Sequence, residues 1–259
     1  MGIVESYKKG LSTALQGYGV VMCLFFFGLA WNLLNIFAAN RLNLANPTPQ
    51  VSGGLIAAGV VFVLMTVFTQ AGSLGFIKTR LKEGRGALGD FFASGGKYYF
   101  KILVIALFIS MVVGVFVLLA ALSASLLGTR SPALSMTLVI FIAAVGVYFT
   151  ILFFFAPYAA VASDMKAVEA LKKSVGLVRQ NLLKFVGLAA LLVLTGFIAG
   201  LILGVVFAGV SLGVKATIPQ QIIFAALSSF VNSFLGLFVS SSFMSFYLGL
   251  PQSGNTNNT

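Results

Sequence analysis

The chain contains no histidine, a single cysteine and only five acidic residues. Each scarcity removes a class of chemistry. Without histidine there is no imidazole base, no Ser–His pair and no imidazole metal ligand. Cys23 cannot form an internal disulfide, and no CxxC motif exists. Inside an apolar run it reads as a small buried side chain. The acids Glu5, Glu83, Asp90, Asp164 and Glu169 all fall in polar links. No apolar run carries a carboxylate near its centre, which removes an aspartyl dyad and the usual proton relay of an ion-coupled carrier. Walker A, GxGxxG and metal-ligand clusters are absent. Ala71-Gly72-Ser73-Leu74-Gly75 lacks the first glycine and the base of a nucleophile elbow. The sequence therefore reads as a non-enzyme without a cofactor.

What is abundant is apolar length. Of the 259 residues, 59% are hydrophobic and 8% charged, too few charges to cover a soluble domain. Six runs, 19–39, 54–77, 102–127, 134–162, 185–213 and 222–250, each reach the roughly 20 residues that cross a bilayer. They use nearly all of 1–250, so the chain reads as one membrane domain. The remaining 251–259 (PQSGNTNNT) reads as a disordered polar tail. The basic start and apolar run near the N-terminus resemble a signal peptide. The run is too long for an h-region and lacks an Ala-x-Ala site, so it is read as the first span. The myristoylation pattern at Gly2 is read as chance.

Charge placement gives an orientation. Lys8, Lys9, Lys78, Arg80, Lys82, Arg85, Lys97, Lys101, Lys166, Lys172, Lys173, Arg179 and Lys184 share one side. Only Arg41, Arg130 and Lys215 lie on the other, in short links that include Asn46-Pro47-Thr48-Pro49. The positive-inside rule then puts both termini in the cytoplasm. The net charge of +11 flanks the spans rather than forming a folded basic face, which argues for membrane lipid as partner and against nucleic acid.

The chain reads as three copies of one unit, each an amphipathic segment followed by a helical hairpin. Val4, Tyr7, Leu11, Leu15 and Tyr18 form a helical stripe in the first segment, and Val168, Leu171, Val175, Val178 and Leu182 in the third. Lys8-Lys9 then falls on Lys172-Lys173. In the middle copy Leu88, Phe91, Tyr98 and Ile102 match, but Gly95 replaces an apolar residue. A small residue recurs at one position: Gly10, Ser94 and Ser174. Asp164 is expected to cap the third segment. The segments are expected to lie in the membrane plane, with Lys8, Lys9, Lys97, Lys101, Lys172, Lys173, Arg179 and Lys184 toward anionic headgroups or an acidic partner.

GRGALGDFFASGGKYYFKIL (84–103) and FFFAPYAAVASDMKAVEALKKSVGLVRQNLLKFVGL (153–188) resemble stretches of a broad prokaryotic family of six-span membrane proteins. That family includes the membrane domain fused to some glycerophosphodiester phosphodiesterases. The resemblance implies a fold and a prokaryotic plasma-membrane location. It implies no phosphodiesterase activity, because that chemistry belongs to a separate soluble domain.

Two interior features stand out. Gly196, Gly200, Gly204 and Ala208 form a small-residue stripe on the fifth span, and Ser228, Asn232, Gly236 and Ser240 offer a complementary one on the sixth. They are expected to pack together within the chain or to form an oligomer interface. Pro157 is expected to kink the fourth span or loosen its last turns. Asn32, Asn35, Gln70, Ser73 and Tyr148 either line a polar cavity or are satisfied by neighbouring helices, and Trp31 reads as an interfacial anchor. The fold expected is an all-α bundle of six transmembrane helices. The function expected is a non-catalytic scaffold, assembly or regulatory membrane domain, possible partners being a membrane protein or a second copy. The alternative is a channel or carrier for a small neutral solute or lipid.

Overall fold

The computed structural model describes residues 2–45, 53–128, 131–211 and 217–251. Asn46-Pro47-Thr48-Pro49, Arg130, Lys215 and the tail 252–259 lie outside the described residues, as does the Arg41 side chain. The described residues form an all-α membrane bundle and include no strand. The helices are α1 (Ile3–Gln16), α2 (Tyr18–Ala45), α3 (Gly53–Glu83), α4 (Leu88–Leu127), α5 (Pro132–Phe153), α6 (Ala156–Ala162), α7 (Ala167–Ser211) and α8 (Ile218–Gly249). Six stretches are long and apolar enough to cross a membrane: Tyr18–Ala38, Ile56–Glu83, Leu88–Leu127, Pro132–Ala162, Ala167–Gly209 and Ile218–Gly249. This is a multi-pass membrane protein.

Local chemistry sets several boundaries. Gly84 follows α3 at φ 72°, a left-handed conformation that glycine adopts without penalty, and its N–H closes on the Arg80 carbonyl. Asp90 accepts a hydrogen bond from the Ala87 N–H at 2.7 Å and so closes the start of α4. Thr217 and Gln220 make a capping box at the start of α8, with Pro219 in the first turn.

The chain divides into two compact units, one from Met1–Gly96 and Val186–Thr259, the other from Lys97–Phe185. In the first, Trp31 stacks on Phe62 of α3 with centroids 3.9 Å apart, and Phe27 stacks on the same ring at 4.7 Å. Asn32 donates to the Ser229 hydroxyl at 2.8 Å and ties α2 to α8. Phe207 meets Phe224 across the α7–α8 hairpin. In the second unit α4 and α5 pair where Gly146 leaves room for the Phe116 ring, 3.0 Å from where a Cβ would stand.

The amphipathic segments are not three alike. The first is a separate helix, broken from its span at Gly17 (φ −91°, ψ 29°). The third runs into its span through one non-helical residue, Asn181 (φ −126°, ψ 24°), at the matching place. The second begins a helix that continues from Leu88 to Leu127. The expectation of three separate segments is therefore corrected at the second, which prolongs its span; the first and the third each break from theirs.

Candidate functional site

Three runs are buried without exception: 71–77 in α3, 155–162 through α6 and 241–247 in α8. Each lies in the C-terminal part of an even-numbered span, and each is met by one amphipathic segment at its small residue. On α1, Gly10 lies against α8: a Cβ there would meet the Ser242 hydroxyl and stand 2.7 Å from the Ser242 backbone nitrogen. On α4, Ser94 fills the space over Gly75, and the Phe91 backbone oxygen lies 2.7 Å from where a Gly72 Cβ would be. Gly95, which weakens the helix, admits the Phe68 ring of α3.

The third crossing is polar. The fourth span breaks at Phe154 and Phe155, just before Pro157, and resumes as α6. Pro157 has no N–H to donate across such a break. Ser174 of α7, fully buried, donates to the Leu152 carbonyl at 2.7 Å and accepts from the Phe155 N–H at 3.0 Å. One hydroxyl thus satisfies two backbone groups that the break releases.

α1 has three faces. Ser6, Gly10, Thr13 and Ala14 are buried. Val4, Leu15 and Tyr18 are more than half exposed, whereas Tyr7 and Leu11 are half-buried and Tyr7 sets its ring against Phe238 of α8 at 5.0 Å, so the expected apolar stripe is split between core and surface. Lys8 and Lys9 are exposed on a further face, Lys9 paired with Glu5 at 3.2 Å.

The eight basic candidates separate into different roles. Lys97 pairs with Asp164 at 3.0 Å, and Lys101 binds the same carboxylate and the Asp164 carbonyl. These two lysines are held by the chain's own acid, and Lys97 stays more than half exposed. Lys172, Arg179 and Lys184 are exposed and Lys173 is half-buried. Asp164 is not a helix cap: α7 starts at Ala167, and Asp164 sits at φ 53° in the connecting turn. Hydrogen bonds from Lys101 and then Lys97 hold its carboxyl down at about 2.

The small-residue stripes do not meet. A Cβ on Gly196, Gly200, Gly204 or Gly236 would find nothing within 4 Å, and Gly200, Gly204, Ala208, Asn232 and Gly236 are exposed. Ser228 and Ser240 are half-buried. The expected packing seam between the fifth and sixth spans is therefore not formed. The face that α8 buries is one residue further on: Ser229, Ser233, Leu237, Ser241 and Ser245. Stepping one residue rotates the face by about 100°, and both series carry small residues at four-residue intervals. The polar span residues do not converge either, since Asn35 donates back to the Trp31 carbonyl and Tyr148 is exposed.

Among the described residues no group of three His, Cys, Asp or Glu side chains could hold a metal ion. No curated protein and no solved structure matches the chain. A match over residues 1–250 places the chain in the family described as a domain of unknown function, DUF7847.

Proposed function

We propose that this protein is a non-catalytic membrane scaffold, built from three related units and assembling with other membrane helices through its own spans. The observation that carries the reading is the open stripe Gly196–Gly200–Gly204–Ala208. Small side chains at that spacing let a second helix approach closely and gain dispersion contacts. Among the described residues nothing lies within 4 Å of a Cβ placed at its three glycines. The basic links support the same reading, since each of the crossings at Gly10, Ser94 and Ser174 fixes one helix on its neighbour beside them. The basic excess there favours a cytoplasmic placement of both termini and contact with anionic lipid. The resemblance to six-span prokaryotic membrane domains favours a prokaryotic plasma membrane. The carrier reading drew on the broken fourth span, but Ser174 already takes the backbone groups that a solute would bind.

The test is native mass spectrometry of the full chain extracted from its own membrane in lipid nanodiscs. The expected result is a stoichiometric second copy or partner protein. Gly200→Leu is expected to remove that species while the chain stays folded, because the added side chain meets no internal neighbour. A lone chain in every preparation would overturn the scaffold reading.

A further inference from the structure

Two surface cavities of the first unit lie side by side at the charged end. One, of about 390 Å³, has a mixed wall that holds Lys9, Ser12, Thr13, Arg80 and Ser245 beside Leu81 and Leu248. The other, of about 780 Å³, is largely apolar, with Leu15, Tyr18, Val20, Phe76 and Leu88 in its wall. Gln16 and Arg80 line both. Arg80 Nη2 donates to Gln16 Oε1 at 2.6 Å, so the pair stands at the boundary between them.

The two walls share Arg80 and Gln16 and differ in the side chains around that pair. Lys9 and Arg80 give the smaller cavity two cations, and no carboxylate lines it. Glu5 stands behind Lys9 at 3.2 Å and offsets part of that charge. Arg80 has no acid partner among the described ion pairs; Gln16 takes one nitrogen of the guanidinium and leaves the rest of its donor fork for an anion. Ser12, Thr13 and Ser245 supply hydroxyls. Across the Arg80–Gln16 pair the wall becomes aliphatic and aromatic, and Leu15, Tyr18 and Leu88 are exposed there. A cation with hydroxyls on one side and an apolar trough on the other suits an amphiphile, not a free ion.

We infer that the paired cavities hold one anionic glycerophospholipid, its phosphate on Arg80, its headgroup among the hydroxyls and an acyl chain along the Leu15–Phe76–Leu88 trough. This deepens the proposed lipid-associated scaffold and rests on its membrane placement. The shared chemistry is a phosphate ester, and the apolar cavity assigns it to a lipid. Fixed guanidinium contacts to phosphate outlast the loose attraction of surface lysines, because an arginine fork binds two oxygens together.

The test uses the full chain, delipidated in neutral detergent and placed in nanodiscs of phosphatidylcholine with a minor fraction of phosphatidylglycerol. Native mass spectrometry counts retained phosphatidylglycerol. Wild type is expected to keep one molecule. Arg80→Gln is expected to weaken retention roughly tenfold, the size of one charge-assisted contact, and Arg80→Lys to weaken it less. Ser12→Glu puts a carboxylate into the smaller cavity from an exposed position and is expected to match Arg80→Gln. Thermal unfolding in phosphatidylcholine alone shows that each variant is folded. Equal retention by wild type, Arg80→Gln and Ser12→Glu overturns the site. Displacement by soluble glycerol phosphate at matched concentration overturns the lipid assignment in favour of a soluble phosphate ester. The same spectra report assembly separately, so loss of a partner with lipid retained would sink the scaffold reading alone.

Discussion

The charged end of α8 and the outward half of α7 are both helical and both rich in small residues, yet they do opposite things. Residues 241–247 of α8 are buried without exception, serines included. Along α7, Val193, Phe197, Ile202 and Val205 are each more than 60% exposed, and Gly200 and Gly204 face open space. The difference lies in what the small residues meet. At the charged end a crossing helix fills the space that glycine and serine leave, and the contact reaches backbone. On α7 the same side chains leave a groove with no occupant among the described residues. In a membrane, where lipid tails are as apolar as leucine, such close contacts hold helices together in place of the hydrophobic effect.

The comparison is most sharply tested by adding one carbon in each place. Gly10→Ala forces a Cβ to 2.7 Å from a backbone nitrogen of α8, and a backbone cannot swing aside as a side-chain tip can. Overpacking of this kind costs about 1–3 kcal/mol, or more where backbone is struck. The expected outcome is a large fall in the thermal midpoint of the detergent-solubilised protein. A midpoint equal to wild type would break the claim that the charged end is the packed end.

Next in size is Ser174→Ala. It leaves the Phe155 N–H and the Leu152 carbonyl without the hydroxyl that now serves both. An abandoned buried polar group costs about 1–3 kcal/mol. Two readouts are expected to move together: lower stability, and faster hydrogen exchange at the Phe155 amide. Lower stability with unchanged exchange would mean that Ser174 acts only by filling space.

The six spans were legible because crossing a bilayer demands apolar length, and length is written directly in the chain. The recurrence of Gly10, Ser94 and Ser174 was legible too, but not what each one touches. Their partners lie far away in the sequence. Asp164 shows the same limit: it resembles a helix cap beside α7, yet its lysine partner Lys101 is 63 residues away. The buried face of α8 failed for another reason. In a soluble helix the polar side faces out, but in a membrane the apolar side can face lipid, so hydropathy does not tell core from surface. Ser228–Asn232–Gly236–Ser240 and Ser229–Ser233–Leu237–Ser241 differ by one step, and only packing chooses between them. The Arg80 cavities had no local signal beyond one arginine in a basic link.

A smaller effect is expected at Asp164, in the exposed turn before α7. Its carboxyl is held down at about 2 by Lys101 and Lys97, against an ordinary value of 3.8. A lowered carboxyl stabilises the fold at pH values above the ordinary one, and that contribution is lost as pH falls through about 2. Side chains this exposed contribute about 0–1 kcal/mol. Asp164→Asn keeps a residue that tolerates the left-handed backbone and removes only the charge. The variant is expected to be slightly less stable at neutral pH and to lose the wild-type decline between pH 4 and 2. An unchanged acid decline in the variant would assign it to other carboxyls.

The smallest effect is expected where the comparison predicts none at all. Gly204→Ala adds the same methyl group as Gly10→Ala, at a site with nothing within 4 Å. Helix propensity then acts alone, and it favours alanine by about 1 kcal/mol or less. The thermal midpoint of the isolated chain is therefore expected to stay level or rise slightly. A fall would mean that a helix lies in the groove of the isolated chain, and the α7 stripe would join the packed region instead of opposing it. Stability held in the monomer but lost from an assembled species in nanodiscs would sharpen the contrast: one end packs within the chain, and the other waits for a neighbour.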